Sequence, residues 1–138
     1  MPSWLEFHDS VLLSLTEASG AVEAVLDGYV HRWDLHGDTW SGSGWMQRIR
    51  ITINKAAGPL AAPALPAEIA DGQLHVGDTV WVNLAPMPLV EATGSTDLRL
   101  ELVGPEIVHI HGADIRVEPT GPAHYVEDLP QDLRPPWT

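Results

Sequence analysis

The segment Trp45-Met-Gln-Arg-Ile-Arg-Ile-Thr-Ile-Asn54 contains the clearest structural pattern in this chain. Apolar and polar side chains alternate along it, with Ile49, Ile51 and Ile53 on one side and Arg48 and Arg50 on the other. Successive residues of a β-strand point to opposite faces, so this alternation predicts a strand that buries its isoleucines and exposes its arginines.

The rest of the chain follows the same pattern. Leu98, Leu100 and Leu102 alternate with charged residues, and the dipeptides Asp71-Gly72 and Gly77-Asp78 are typical of tight hairpin turns. The best helical candidate, residues 60–67, contains two prolines and is therefore not expected to be helical. We predict an all-β domain, a single antiparallel barrel or sandwich built from hairpins.

Length and composition set the organisation of the chain. Its 138 residues suffice for one domain with a real core, predicted over residues 1–128, followed by an extended C-terminal tail over residues 129–138. The absence of cysteine excludes disulfides and thiolate chemistry. We see neither a signal-peptide pattern nor an apolar run of membrane-spanning length, so we expect a cytoplasmic protein that does not associate with membranes.

The charge is strongly acidic. Nineteen Asp and Glu residues oppose seven Lys and Arg residues, for a formal net charge of −12. Such a field repels nucleic acid and favours partners with a basic face. It also keeps a protein in solution without any binding role, and this simpler explanation accounts for most acidic chains.

The sharpest chemical feature is the pair His109-Ile110-His111. On a strand, both imidazoles would lie on one face, which is a common beginning of a metal site. Zn²⁺ or Fe²⁺ would need a third ligand, for which His31, His8 and Asp114 are the candidates. The alternative is two strand histidines with separate hydrogen-bond partners. Apolar residues flank both faces here, so we expect this strand to be central in the sheet or covered on both sides.

A second candidate site lies around residues 34–44, a stretch rich in glycine, serine and aspartate that resembles a long polar loop. Aromatic planes beside carboxylates suit a carbohydrate, a cation or an amphipathic ligand. The same tryptophans could equally cap the end of a barrel. The predicted ligand-binding residues are Trp33, Asp34, His36, Asp38, Trp40 and Trp45.

Four short segments carry a resemblance to known proteins: Leu5-Glu-Phe-His-Asp-Ser10, Tyr29-Val-His-Arg32, Gly44-Trp45-x-Gln47 and Tyr125-Val-Glu-Asp128. They resemble a group of short uncharacterised bacterial all-β proteins, some of which are grouped with toxin-immunity families. The resemblance implies a cytoplasmic binding protein without catalysis, and acidity suits a protein that neutralises a basic toxin.

The leading functional hypothesis is therefore a non-catalytic binding protein that presents an acidic, tryptophan-bearing surface to a protein or a small ligand, and no cofactor is expected. His8-Asp9-Ser10 contains three catalytic residue types, but neighbours on a strand point apart and do not form a triad. The alternative is a metal-dependent or histidine-using β-barrel enzyme centred on His109 and His111. A homodimer paired through an exposed sheet edge is a further possibility.

Overall fold

The computed structural model describes residues 3–56 and 63–135. Eight β-strands make up nearly all of this part of the chain. Their bounds are β1 Ser3–Ala18, β2 Ala21–His36, β3 Thr39–Asn54, β4 Ala67–Val76, β5 Thr79–Val82, β6 Leu84–Pro86, β7 Leu89–Leu102 and β8 Ile107–Leu129.

All pairings are antiparallel, and the sheet closes on itself. The strand order is β5-β4-β7-β8-β3-β2-β1-β6, and an additional pairing joins β4 to β1. Six strands therefore form a closed barrel, while β5 and β6 extend it outside the ring. The predicted all-β fold is confirmed, and of the two architectures left open it is the barrel.

The barrel core is built by the alternating residues that the sequence indicates. Ile49, Ile51 and Ile53 on β3 are almost completely buried, as are Leu98, Leu100 and Leu102 on β7. Their neighbours Arg48, Arg50 and Arg99 point to the outside, because period-two alternation separates the two faces. The side chains that can carry chemistry on these strands therefore lie on the outer surface.

Two turn predictions have different outcomes. Gly77 and Asp78 form the turn between β4 and β5, with Gly77 at φ 57°, as predicted. Asp71-Gly72 is not a turn: both residues lie inside β4, at a register shift against β7. Gly72 is needed there because a Cβ at this position would overlap the side chain of Phe7.

The stretch over residues 34–44 is not a long loop, and that prediction was wrong. The β2–β3 ladder runs without interruption to the pair His36–Thr39, leaving only a two-residue turn at Gly37 and Asp38. The predicted tail starts in the last residue of β8, Leu129, and continues into a 3-10 turn at Gln131–Leu133. Pro135 is buried, and residues 136–138 lie outside the described part.

Candidate metal centre

The two histidines of the His109-Ile110-His111 motif lie side by side on the outer face of β8. Val108 and Ile110 point into the core, so His109 and His111 point outward together. Their ring centroids are 4.1 Å apart, with an angle of 51° between the ring planes. The predicted sharing of one face is therefore observed.

The third member of the cluster is Asp97, on the neighbouring strand β7. Asp97 is the direct cross-strand partner of His111, and Arg99 is the partner of His109. The Nε2 atom of His109 forms a short contact with Oδ1 of Asp97, and Nδ1 of His111 lies 3.6 Å from the same oxygen. One ligand atom from each of these three residues lies within 4.8 Å of the other two.

The strand is central, which is one of the two expected alternatives, because β8 pairs with both β7 and β3. Its outer face is not covered, and the cluster is accessible to solvent. The side chains of Asp97, His109 and His111 are 36%, 40% and 63% exposed, and neighbouring Ile107 is exposed as well. The apolar residues of this part of β8 are divided between two faces, and only the face of Val108 and Ile110 is buried. An ion can therefore reach the three groups directly from solvent.

The three ligand candidates inferred from sequence lie elsewhere. His31 is buried on β2, with Nε2 3.4 Å from Oε2 of Glu6. The carboxylate of Asp114 accepts a hydrogen bond from the Gly94 amide at 3.1 Å. His8 is exposed, with Nδ1 2.9 Å from the carbonyl oxygen of Ala70. This contact, followed by the nearby Asp9 carboxylate, raises the pKa of His8 above its usual value of 6.5.

Asp97 was not identified from the sequence as a ligand, although the position of the turn between β7 and β8 could have indicated it. The turn at residues 103–106 connects β7 to β8, and Gly104 lies midway between Asp97 and His111. Pairing the two strands symmetrically about Gly104 places Asp97 opposite His111. The alternation of β7 then puts its carboxylate on the histidine face.

The predicted tryptophan site is divided between the two faces of the β2–β3 hairpin. Trp33 and Trp40 share one face, whereas Asp34, His36 and Trp45 lie on the other, and Asp38 is in the turn. Trp33 is completely buried against Gly42, where a Cβ would overlap its ring. The six residues therefore do not converge on one ligand.

Instead, the aromatic residues of this hairpin stabilise the sheet. The hydroxyl of Tyr29 donates a hydrogen bond to Oε1 of Glu127 on β8 at 2.7 Å. Burial, together with this hydrogen bond, raises the pKa of Tyr29 well above its usual value of 10. On the other face, Trp45 contacts Tyr125 edge-on, and the Arg32 guanidinium lies 4.5 Å from the centre of a Trp45 ring.

A cleft of about 580 Å³ lies on the outer surface between β2, β3, β7 and β8. Its charged lining consists of Glu23, Asp114 and Glu118 together with Arg50 and Arg116. Arg50 is engaged there, because its Nη2 donates to Oε1 of Glu118 at 2.7 Å. Three carboxylates therefore face two guanidinium groups in this lining, and the opposite charges nearly cancel.

Comparison of the chain with known protein families, curated proteins and solved structures gives no match. Within the described residues, we find no helix that combines the length and the apolar character needed to cross a membrane.

Proposed function

We propose that this protein is a β-barrel that binds a divalent transition-metal ion, Zn²⁺ in the first place, through Asp97, His109 and His111. The observation that carries the proposal is the grouping of two imidazole nitrogens and a carboxylate oxygen within 4.8 Å of one another. All three residues belong to one antiparallel ladder. Their backbones are therefore held in place whether or not an ion is bound.

The donor set suits zinc. Imidazole nitrogen and carboxylate oxygen bind Zn²⁺ at about 2.0–2.2 Å, which places neighbouring ligand atoms of a tetrahedral site roughly 3.3 Å apart. The ligand atoms of the three residues now lie up to 4.8 Å apart. The residues are partly exposed, so small rotations of their side chains can adjust these separations to those of a tetrahedral site. The Asp97 oxygen that now accepts from His109 would then bind the ion.

Zinc is favoured over iron, the other metal considered from sequence. A site of given N and O ligands binds Zn²⁺ more tightly than Fe²⁺ in the usual order of first-row divalent ions. A solvent-facing site such as this one also offers no protection to Fe²⁺ against oxidation. We therefore choose Zn²⁺ as the ion to test first.

The test is a competition titration of tag-free protein with Zn²⁺ and a chromophoric chelator, supported by elemental analysis of protein purified without chelator. We expect one equivalent of Zn²⁺ to bind, and the double variant His109→Gln/His111→Gln to lose at least about tenfold in affinity, which corresponds to 1.4 kcal/mol. The matched control is His124→Gln, which removes an exposed histidine on the same strand outside the cluster.

Two results would contradict the proposal. One is a wild-type protein that binds no Zn²⁺ in competition with a weak chelator. The other is equal affinity in the wild type and the double variant, which would assign the binding to other surface groups.

A second candidate function rests on charge. The chain has nineteen carboxylates and only seven Lys and Arg residues, so most of the carboxylates cannot each pair with a separate Lys or Arg. This excess supports the proposal of an acidic surface that binds a partner with a basic face, as an immunity-like cytoplasmic protein would. Retention of a partner from lysate should then fall steeply with salt; retention that ignores ionic strength would remove this candidate.

A further inference from the structure

The proposed metal site of Asp97, His109 and His111 has a fourth potential ligand on the side of strand β4. Asp97 on β7 lies between two cross-strand partners: His111 on β8 and His75 on β4. Leu74 and Val76 are buried in the core, so His75 points to the outside, as Asp97 does. The outer surface therefore carries a row of His75, Asp97 and His111 across three adjacent strands.

The His75 side chain is not engaged in an interaction with another described residue. Its imidazole makes no hydrogen bond, ion pair or ring contact with another residue in the described part of the chain. Its cross-strand partner away from Asp97 is the apolar Val80 on β5, whose side chain offers no hydrogen bond. The His75 side chain is half-buried and stands next to the carboxylate that His109 and His111 already contact.

The reach of the side chain is sufficient. Directly opposed Cβ atoms in an antiparallel pair lie about 4.5–5.5 Å apart, so an imidazole can extend over its neighbour on the next strand. The His75 nitrogens lie outside the group whose ligand atoms are within 4.8 Å of one another. A change of side-chain rotamer towards Asp97 is therefore required, and the surface position of His75 allows it.

We propose that His75 is the fourth ligand of the metal site, so that the ion is held by three imidazoles and one carboxylate on the outer face of β4, β7 and β8. This inference rests on the proposed metal-binding function and specifies it further. Zinc sites that catalyse hydrolysis keep an open position for water, whereas four protein ligands close the coordination sphere. The closed site would therefore retain an ion and would not activate water.

Cobalt substitution tests the proposal, because Co²⁺ in a tetrahedral site absorbs visible light far more strongly than Co²⁺ with five or six ligands. We expect the wild-type protein with one equivalent of Co²⁺ to show the intense tetrahedral bands. In His75→Ala, water would replace one imidazole, so these bands should change in position and intensity, and the Zn²⁺ affinity should be at least about tenfold weaker. His124→Gln serves as the matched control and should behave as the wild type.

A second measurement needs no variant. The ring ¹⁵N resonances of His75 in the wild-type protein should move on titration with Zn²⁺, at the same stoichiometry as those of His109 and His111. This experiment removes any effect of the substitution on folding.

The outcomes separate the two proposals. If the wild type binds no metal, the metal-binding function itself is wrong. If the wild type binds one ion through His109 and His111 while the His75 resonances do not move and His75→Ala keeps the wild-type spectrum, His75 is not a ligand. The three-residue site would then stand with an open position.

Discussion

Arg99 places a positive charge beside the proposed metal site. It is the cross-strand partner of His109 and points to the same outer face, where its Nη2 lies 3.8 Å from Oε1 of Glu101. A positive charge beside a divalent cation is repulsive, although solvent weakens the effect. We expect Arg99→Gln to bind Zn²⁺ about two- to sixfold more tightly at low salt, with a smaller gain at high salt.

Arg48→Gln provides the control for this measurement. Arg48 is also an exposed arginine paired with a carboxylate, Asp27, but it lies on β3, which does not pair with β7. Zn²⁺ affinity should be almost unchanged in this variant. Weaker binding in Arg99→Gln would contradict the prediction and would show that the guanidinium holds the site together.

The buried hydroxyl of Tyr29 makes stability depend on pH in the alkaline range. Burial and the hydrogen bond to Glu127 raise the pKa of Tyr29, so the folded state holds this proton more tightly than the unfolded state. The contribution to stability is complete below pH 10 and is lost as the pH rises towards the folded-state value, with a slope of up to about 1.4 kcal/mol per pH unit. Denaturant unfolding between pH 9 and 11.5 should therefore show a shallower decline in Tyr29→Phe than in the wild type.

Tyr125 is the matched tyrosine for that experiment. Its hydroxyl also donates to a carboxylate, Asp128, and its pKa is raised by that hydrogen bond, but the residue is exposed. Tyr125→Phe should therefore keep most of the wild-type slope. Equal slopes in wild type and Tyr29→Phe would show that Tyr29 does not carry the effect.

Two of the four residues of the proposed metal site, His109 and His111, were predicted from the sequence, and the other two were not. His109 and His111 were identified because their relation is local: two positions apart on one strand. Asp97 and His75 depend on cross-strand register, and no local pattern states which residues face each other across two pairs of strands. Only the turn near Gly104 offered a route to Asp97. His75 became visible only when the whole ladder was known.

At the scale of the elements, the β2–β3 hairpin depends on glycines that make room for aromatic rings. Gly42 is the cross-strand partner of Trp33, and a Cβ there would overlap three atoms of the indole. Overpacking of this kind costs about 1–3 kcal/mol. We expect Gly42→Ala to reduce the free energy of unfolding by about 2 kcal/mol, measured by denaturant titration.

Ser41→Ala is the control, because Ser41 precedes Gly42 and points to the opposite face of the hairpin. Its effect should stay within about 0.5 kcal/mol, as is usual for surface substitutions. Equal effects of the two substitutions would mean that the contact of Gly42 with Trp33 does not limit stability.

The same glycines explain why this hairpin was mistaken for a loop. The alternating run Ser41-Gly42-Ser43-Gly44 has the composition of a flexible connection. In the hairpin they are strand residues: Gly42 and Gly44 lie beneath the rings of Trp33 and Tyr29. The requirement for small residues comes from the neighbouring strand, which composition alone does not reveal.

At the scale of the whole molecule, the all-β fold class and much of the core were predictable from the sequence, but closure of the sheet was not. Alternation identified the buried faces of β3 and β7, and both barrels and sandwiches satisfy it. Closure depends on a short pairing of β1 with β4, Val11 with Glu68 and Leu12 with Ala67. It requires β1 to leave its register with β2 between Glu6 and Val11, where Asp9 adopts φ 71°. Such a bulge is a tertiary feature and has no reliable signal in the sequence.

The net charge of −12 is spread over a small closed barrel and should destabilise it through self-repulsion. Unfolding relieves this repulsion because it separates the charges, and salt reduces it because the Debye length falls from about 30 Å at 10 mM to about 8 Å at 150 mM. We expect the melting temperature, measured with chelator present, to rise between 10 and 300 mM NaCl. The same rise with choline chloride would attribute it to screening and not to sodium binding. A melting temperature that is constant or falls over this range would show that local ion pairs, such as Arg50 with Glu118, outweigh the net charge.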